Sequence, residues 1–314
     1  MKAYKTISRK ILFPLAMSMR VDKLLQRITG NSLLNVMYHG VTSEYTTYFS
    51  PRHVVVTDFE RQIAYYKKNF DIISIDEAFR RMRNNDTFSR KTITISFDDG
   101  FANNLTTALP ILEKYNVPAT FFISSICAEN DGNHVLWPEF IAALKYFTQI
   151  DTNSLSDDIK AMPYHERDAY LGDLENAHKV LDKLRLLPND IWKLLDKAQL
   201  IELSKSKIVT IASHGHNHYN LGQIESEFAK YELEHSKTLL ESAIQKEINH
   251  IAYPDGSYTG LVKDLAEKAG YTGQMAVKYK LQEDKTDQRI LDRFGISATT
   301  TYESNMLFLN KSFK

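Results

Sequence analysis

The stretch Thr92-Ile93-Thr94-Ile95-Ser96-Phe97-Asp98-Asp99-Gly100-Phe101 joins an apolar strand to two adjacent carboxylates and a glycine. Six β-branched, small or aromatic residues in a row predict a short, buried strand. Gly100 permits a tight turn immediately afterwards. Two carboxylates before a glycine also mark an ordinary turn, so the rest of the chain must decide whether this strand end carries chemistry.

Similar runs recur on both sides. Leu33–Tyr38, Asp71–Ile75, Ala119–Ile123, Lys207–Ala212, His250–Tyr253 and Gln274–Val277 read as further strands, giving seven in all. Helical patterns separate them; Thr57-Asp58-Phe59-Glu60 has the form of a capping box opening one. Strands alternating with helices imply parallel pairing through crossovers. About seven such units fit an α/β barrel better than an open sheet. Residues 129–206 break the rhythm: they hold Trp137, Phe140, Leu144 and Phe147 at helical spacing and no convincing strand, and read as a helical insertion. Residues 31–314 then form one barrel domain, preceded by a 1–30 segment.

That first segment pairs an apolar run, Ile11 to Met17, with Arg9, Lys10, Arg20, Lys23 and Arg27. Pro14 interrupts the run and no small-residue cleavage site follows, so it does not read as a signal peptide. The expectation is an amphipathic helix able to touch anionic lipid or to pack on the barrel rim, on a cytoplasmic, membrane-associated protein. Lys+Arg and Asp+Glu are equal at 39 each, which gives no basic excess for nucleic acid. The single cysteine, Cys127, lies among apolar residues and excludes both an intramolecular disulfide and a cysteine-rich zinc site.

The polar residues with chemical potential share one kind of position. His39 follows the first strand, Asp98 and Asp99 the third, and Ser213-His214-Gly215-His216-Asn217-His218 the fifth; Pro254-Asp255-Gly256 follows the sixth. In a parallel barrel the C-terminal strand ends meet on one face, where active sites lie. Adjacent aspartates point in different directions, so one can bind a metal while the other stays free as a base. His214 and His218 share a face of a helical turn; His214, His216 and His218 would share a face of an extended strand. Gly215 and Asn217 argue against continued strand and favour the turn. One aspartate and two histidines make a three-ligand set with an open position for water, as in catalytic zinc sites.

Taken in order, Ser96-Phe97-Asp98-Asp99-Gly100, Ser213-His214-x-x-x-His218-x-x-Leu221 and Ala252-Tyr253-Pro254-x-Gly256 resemble the three core motifs of the polysaccharide deacetylases (NodB homology domain, carbohydrate esterase family 4). Ser236-Lys237-x-x-Leu240-Glu241 and Lys268-Ala269-Gly270-Tyr271 add to the resemblance, which spans Leu33 to Ile296. It implies a distorted (β/α)7 barrel and hydrolysis of acetyl groups on sugars. It implies Asp99, His214 and His218 as ligands of a divalent metal, zinc first, with cobalt, nickel or iron as alternatives. Asp98 would be the general base, and Tyr253 would lend its backbone N–H to the oxyanion. The usual late Leu-x-His motif is missing. Met37-Tyr38-His39 stands near the start instead, as in the circularly permuted poly-N-acetylglucosamine deacetylase subgroup, making His39 the general acid. No arginine precedes Tyr253, and Arg293 is the candidate to orient the base. The expected substrate is an N-acetylhexosamine-containing glycan or glycolipid precursor, with Trp137 and Tyr258 as candidate stacking platforms. An amidase of the same fold acting on a non-carbohydrate substrate, or a catalytically silent carbohydrate-binding barrel, would share the scaffold.

Overall fold

The computed structural model describes residues 11–47, 49–129 and 131–313. Two short helices lead, α1 (Phe13–Ser18) and α2 (Val21–Ile28). One helix was expected here, but Arg20 adopts a left-handed conformation (φ 58°) and breaks it. Pro14 opens α1, where its missing N–H is harmless. The turn lets Phe13 meet Phe308 edge-on, with ring centroids 5.6 Å apart. Arg9 and Lys10 lie outside the described residues.

β1 (Leu33–Tyr38) leads to a small two-stranded sheet of β2 (Gly40–Thr42) and β3 (His53–Val55). α3 (Val56–Asn69) grows directly out of β3 with Val55 as its N-cap. Thr57 is therefore already inside the first turn, and the expected capping box does not form. β4 (Asp71–Ile72) is shorter than expected because Ser74 caps α4 (Ile75–Arg83), accepting from the Glu77 N–H. β5 (Thr92–Phe97), α5 (Leu109–Tyr115) and β6 (Ala119–Ile123) follow.

The insertion then supplies α6 (Trp137–Thr148), α7 (Asn153–Ala161), α8 (Tyr164–His178) and α9 (Val180–Leu184). They enclose a core of their own, including Trp137, Phe140, Leu144, Ile159, Leu184 and Trp192. α10 (Lys197–Lys205), opened by an Asp196/Gln199 capping box, returns the chain to β7 (Val209–Ser213). α11 (Ser226–Ile244), β8 (His250–Ala252), α12 (Gly260–Lys268), β9 (Gly273–Met275), β10 (Ile290–Leu291), β11 (Arg293–Gly295) and α13 (Tyr302–Ser312) complete the fold.

All pairings in the main sheet are parallel, in the order β10-β9-β8-β7-β6-β5-β1-β11. Only Asp292 separates β10 from β11, so the two ends of the sheet belong to one continuous stretch of chain. Its first half pairs with β9 (Ile290 with Gln274) and its second with β1 (Asn35 with Arg293). The sheet thereby rolls round on itself as a distorted seven-stave (β/α) barrel. The distortion is visible at β5, where β4 pairs at Thr92 and Ile93 and β6 only at Ser96 and Phe97. This closing stave was not among the strands expected from sequence.

Side-chain alternation on the staves separates two apolar clusters. Phe97 and Phe121 belong to the larger one, stacked at 4.8 Å, whereas Phe122, Ala212, Ala252, Met275 and Leu291 pack with Ile75 and Phe79 of α4. Gly273 is required here, because a Cβ would come within 2.5 Å of the Phe79 ring. α4 precedes β5 in the chain and packs against the N-terminal end of the strands, leaving the opposite end for the site.

Candidate active site

Asp98 and Asp99 leave β5 in a turn that places Asp99 at φ 76° and Gly100 at φ 89°. A non-glycine residue in the left-handed region is strained, and such strain is held by its surroundings at functional positions. Both carboxylates are buried. The turn splits them. Asp98 Oδ1 accepts a 2.6 Å hydrogen bond from Arg293 Nη1, while Asp99 Oδ1 lies 3.4 Å from His214 Nε2 and 3.2 Å from His218 Nε2. Arg293 comes from the closing stave β11, so barrel closure delivers the cation to Asp98.

The histidines converge neither through a helical turn nor through an extended strand. The segment after β7 is a bent loop with Gly215 at φ 74° and His218 at φ 56°, and it brings the His214 and His218 ring centroids to 5.1 Å. α11 holds the loop in shape. The Glu232 carboxylate accepts from the backbone N–H groups of His216 and Asn217 at 2.8 and 2.9 Å. The Ser236 hydroxyl donates to the Gly215 carbonyl at 2.9 Å. His214 Nδ1 donates to the Ala252 carbonyl at 2.8 Å, which leaves its Nε2 lone pair facing Asp99.

These donors fit a tetrahedral divalent ion. Ligand atoms about 2.0–2.1 Å from zinc in that geometry are about 3.3–3.4 Å apart, and the two contacts to Asp99 are 3.2 and 3.4 Å. Both Asp99 oxygens are buried without a hydrogen-bond partner among the described residues, an arrangement that a cation relieves. His216 points elsewhere: its Nδ1 meets Ser125 Oγ at 2.9 Å, and burial pushes its pKa down to about 4.

Electrostatics separate the two aspartates from ordinary buried acids. Burial works to raise both pKa values. For Asp98 the Arg293 charge, with His214, outweighs it; for Asp99 the close approach of the His214 and His218 rings does. Both carboxyls end below their usual range and are ionised at neutral pH. His39, after β1, is pushed down to about 4 by burial against the opposing pull of Asp99 and Asp98. Burial therefore favours the neutral form of the resting ring.

A cavity of about 760 Å³ opens over these groups, with His39, Arg52, Asp98, His214, His218 and Asp255 in its wall. That size suits one or two sugar rings. Tyr253 does not offer its N–H to this space, because the Met275 carbonyl takes it at 3.1 Å within the β8–β9 ladder. Asp255, two residues on, lines the cavity at φ 53°, and among the described residues its N–H makes no hydrogen bond. Tyr258 is no platform either. It is buried, stacks on Tyr253 at 5.1 Å and gives its hydroxyl to Asp284 at 2.5 Å. Trp137 does reach the wall, donating from Nε1 to the His218 carbonyl at 3.1 Å.

Three charged residues, Arg52, Glu139 and Lys160, escaped the sequence reading. Arg52 Nη1 lies 3.6 Å from Asp99 Oδ2, and its other nitrogen pairs with Glu139 of α6. Burial lifts Glu139 to about 7 despite Arg52. Lys160 of α7 pairs with Asp255 at 3.0 Å, so two insertion helices touch the site. No motif marks these positions; Glu139 and Lys160 come in with the folded insertion, and Arg52 with the turn into β3.

The model of the polysaccharide deacetylase family matches residues 85–274, which contain Asp98, Asp99, His214, His218 and Asp255. The chain belongs to the polysaccharide deacetylase family. His39 and Arg293 fall outside the matched residues, one on each side. The chain is 22% identical over 243 residues to YxkH of Bacillus subtilis (strain 168), covering 77% of this chain and 62% of that relative's length. Among solved polysaccharide deacetylase folds, the Streptococcus pyogenes deacetylase PplD superposes with a TM-score of 0.61 at 18% identity, covering 90% of this chain and 98% of that one. IcaB from Ammonifex degensii gives 0.60 at 14% identity, covering 90% and 99%. A de-N-acetylase from Aggregatibacter actinomycetemcomitans gives 0.60 at 18%, covering 87% and 99%.

Proposed function

We propose that this family member is a metal-dependent hydrolase that removes N-acetyl groups from an N-acetylhexosamine-containing glycan or glycolipid precursor. One observation carries the reading: an ionised aspartate fixed by a buried arginine stands beside an Asp-His-His donor set at the floor of a sugar-sized cavity. The name of the Aggregatibacter fold neighbour as a de-N-acetylase supports the choice of acetamide over ester. A silent carbohydrate-binding barrel has no need of Asp98 ionised and aimed by Arg293.

Asp99, His214 and His218 would hold the ion. When bound, it lowers the pKa of a water and polarises the acetyl carbonyl. Asp98, kept ionised by Arg293, accepts a proton as the water oxygen bonds to the carbonyl carbon. The Asp255 N–H replaces Tyr253 as the backbone donor for the developing oxyanion; one such donor is worth about 3–4 kcal/mol. The C–N bond then breaks, and the amine leaves with a proton delivered by His39. Because resting His39 is neutral, that proton is gained after substrate binds, from the one Asp98 has taken. Acetate and a free amino sugar are the products.

The lipid-linked form of the substrate is favoured by the leading helices. Their inner face packs on the barrel, where Asp22 accepts from Tyr65 at 2.8 Å. Their outer face leaves Met19 70% and Ile28 69% exposed beside the exposed Arg20 and Arg27. Apolar side chains flanked by cations suit an anionic membrane surface. No helix among the described residues is long and apolar enough to cross a membrane.

The test is acetate release from N-acetylglucosamine oligomers and from a lipid-linked N-acetylhexosamine, run beside metal content. Release that requires metal supports the reading. Hydrolysis of only non-carbohydrate amides, or none with the site loaded, refutes it. Flotation with anionic but not neutral vesicles checks the membrane face.

A further inference from the structure

A second group of metal-binding side chains lies on the outer side of the same loop. Glu129 follows the turn after β6, His216 is in the loop after β7, and His235 is on α11. Glu129 Oε2 is 3.6 Å from His216 Nε2, and its Oε1 is 3.4 Å from His235 Nε2. One ligand atom from each residue lies within 4.8 Å of the other two. Tetrahedral zinc ligands are about 3.3–3.4 Å apart, so small side-chain rotations suffice to close the set on an ion.

The rings are built into place. Ser125 Oγ, 2.9 Å from His216 Nδ1, can accept that proton and leave Nε2 as the lone-pair donor aimed at Glu129. The Tyr231 ring stacks on His235 at 4.9 Å and 11°, holding it one helical turn away. The His216 and His235 ring centroids are 4.5 Å apart and nearly perpendicular. Among the described residues, the ion pairs of Glu129 are to these two imidazoles and to no lysine or arginine. His216 is buried, while the other two side chains are about a third exposed (Glu129 39%, His235 32%). An ion can enter from solvent and water can complete its shell.

We propose that Glu129, His216 and His235 form a second divalent-metal site of zinc type, separate from Asp99, His214 and His218. Two imidazoles and one carboxylate, without thiolate, select borderline metals such as zinc, cobalt or nickel over magnesium or calcium. Its role is structural. The site ties together the turn after β6, the loop after β7 and α11, the elements that also shape the His214–His218 loop. His216 is the shared joint: its carbonyl accepts from the Ile126 N–H at 3.1 Å and its N–H donates to Glu232. The proposal does not depend on the deacetylase reading.

The experiment is zinc binding to the full chain, stripped with chelator and dialysed against Zn²⁺ alone, read by elemental analysis. Wild type should hold two equivalents. His235→Ala and Glu129→Gln should each hold one, as should His214→Ala, and His214→Ala/His235→Ala should hold none. Zinc should raise the melting temperature of His214→Ala but not that of the double variant. An equivalent count in His235→Ala and Glu129→Gln that stays equal to that of wild type overturns the proposal. Circular dichroism checks that each variant is folded; Asp99→Asn substitutes for His214→Ala where that variant is not. If His235→Ala removes an equivalent and neither His214→Ala nor Asp99→Asn does, the second site stands and the catalytic metal site falls.

Discussion

Replacing Arg293 with glutamine removes the one full charge that, among the described residues, contacts Asp98 directly. The pair is dry: the Arg293 side chain is 0% and the Asp98 side chain 3% exposed. Asp98 sits below its ordinary pKa because this guanidinium, with His214, outweighs desolvation. In Arg293→Gln the desolvation remains and its largest opponent is gone. An adjacent cation typically lowers a carboxyl by about 1–3 units, so the acid limb of kcat/KM should move up by about that amount. The sign follows from linkage. In wild type the depressed pKa stabilises the fold above the unfolded-state value, and this is lost as pH falls through the folded-state value. In the variant the pKa lies above the unfolded value, so ionised Asp98 destabilises the fold at neutral pH, and acidification relieves it. Breaking a buried pair costs about 3–5 kcal/mol. The assay is acetate release against pH beside urea unfolding at neutral and acid pH. The stability gap to wild type should narrow as pH falls, and activity should recover as pH rises. In the Asp98→Asn background, Arg293→Gln should have a smaller stability effect, because the carboxylate that needed it has gone. An acid limb that stays in place, with the same fractional loss at every pH, refutes the claim that Arg293 acts by keeping Asp98 ionised.

Further outcomes follow from the same geometry. Asp98→Asn should abolish turnover while the metal at Asp99, His214 and His218 is retained, whereas His214→Ala should lose that metal; elemental analysis with the acetate assay separates the two. His39→Ala should slow hydrolysis by about 10²–10⁴-fold, the usual worth of a positioned proton donor, with metal content unchanged; an unaffected rate removes His39 from the reaction. Glu232→Gln should weaken metal binding by about 10–100-fold, the usual effect of losing a group that supports a ligand; equilibrium dialysis reads it. Phe97→Ala, in the stacked core between Tyr38 and Phe121, should cost about 3–5 kcal/mol of stability in urea.

The staves Leu33–Tyr38, Thr92–Phe97 and Ala119–Ile123 are legible in sequence because each is an uninterrupted buried run with sharp ends. Ile290–Gly295 is not, because Asp292 interrupts it and each half pairs with a different neighbour. Asp99, His214 and His218 could be selected from residue type and position at strand ends. The path bringing the histidines together could not, since it depends on left-handed residues and on Glu232 and Ser236 reaching in from α11. Tyr253 illustrates the limit. Both it and Asp255 stand near the end of β8, and only the ladder hydrogen bond to Met275 shows which amide is already committed.

Barrel closure explains why His39 near the start of the chain and Arg293 near its end can stand beside one aspartate between them. β1 lies beside β5 on one flank and β11 on the other, with Tyr38 opposite Phe97 and Asn35 opposite Arg293. The residue after Tyr38 is His39 and the residue after Phe97 is Asp98, so the register alone puts them at neighbouring strand ends. Arg293 lies lower on the next stave and reaches upward to Asp98 with its long side chain. In a ring of parallel strands the cut between first and last is arbitrary for the chemistry. What matters is which staves are adjacent. A family match confined to residues 85–274 captures Asp98, Asp99, His214 and His218 but leaves out both flanking staves. His39 and Arg293, the proposed acid and orienting cation, therefore have to be read from the closure of the barrel rather than from the order of motifs along the chain.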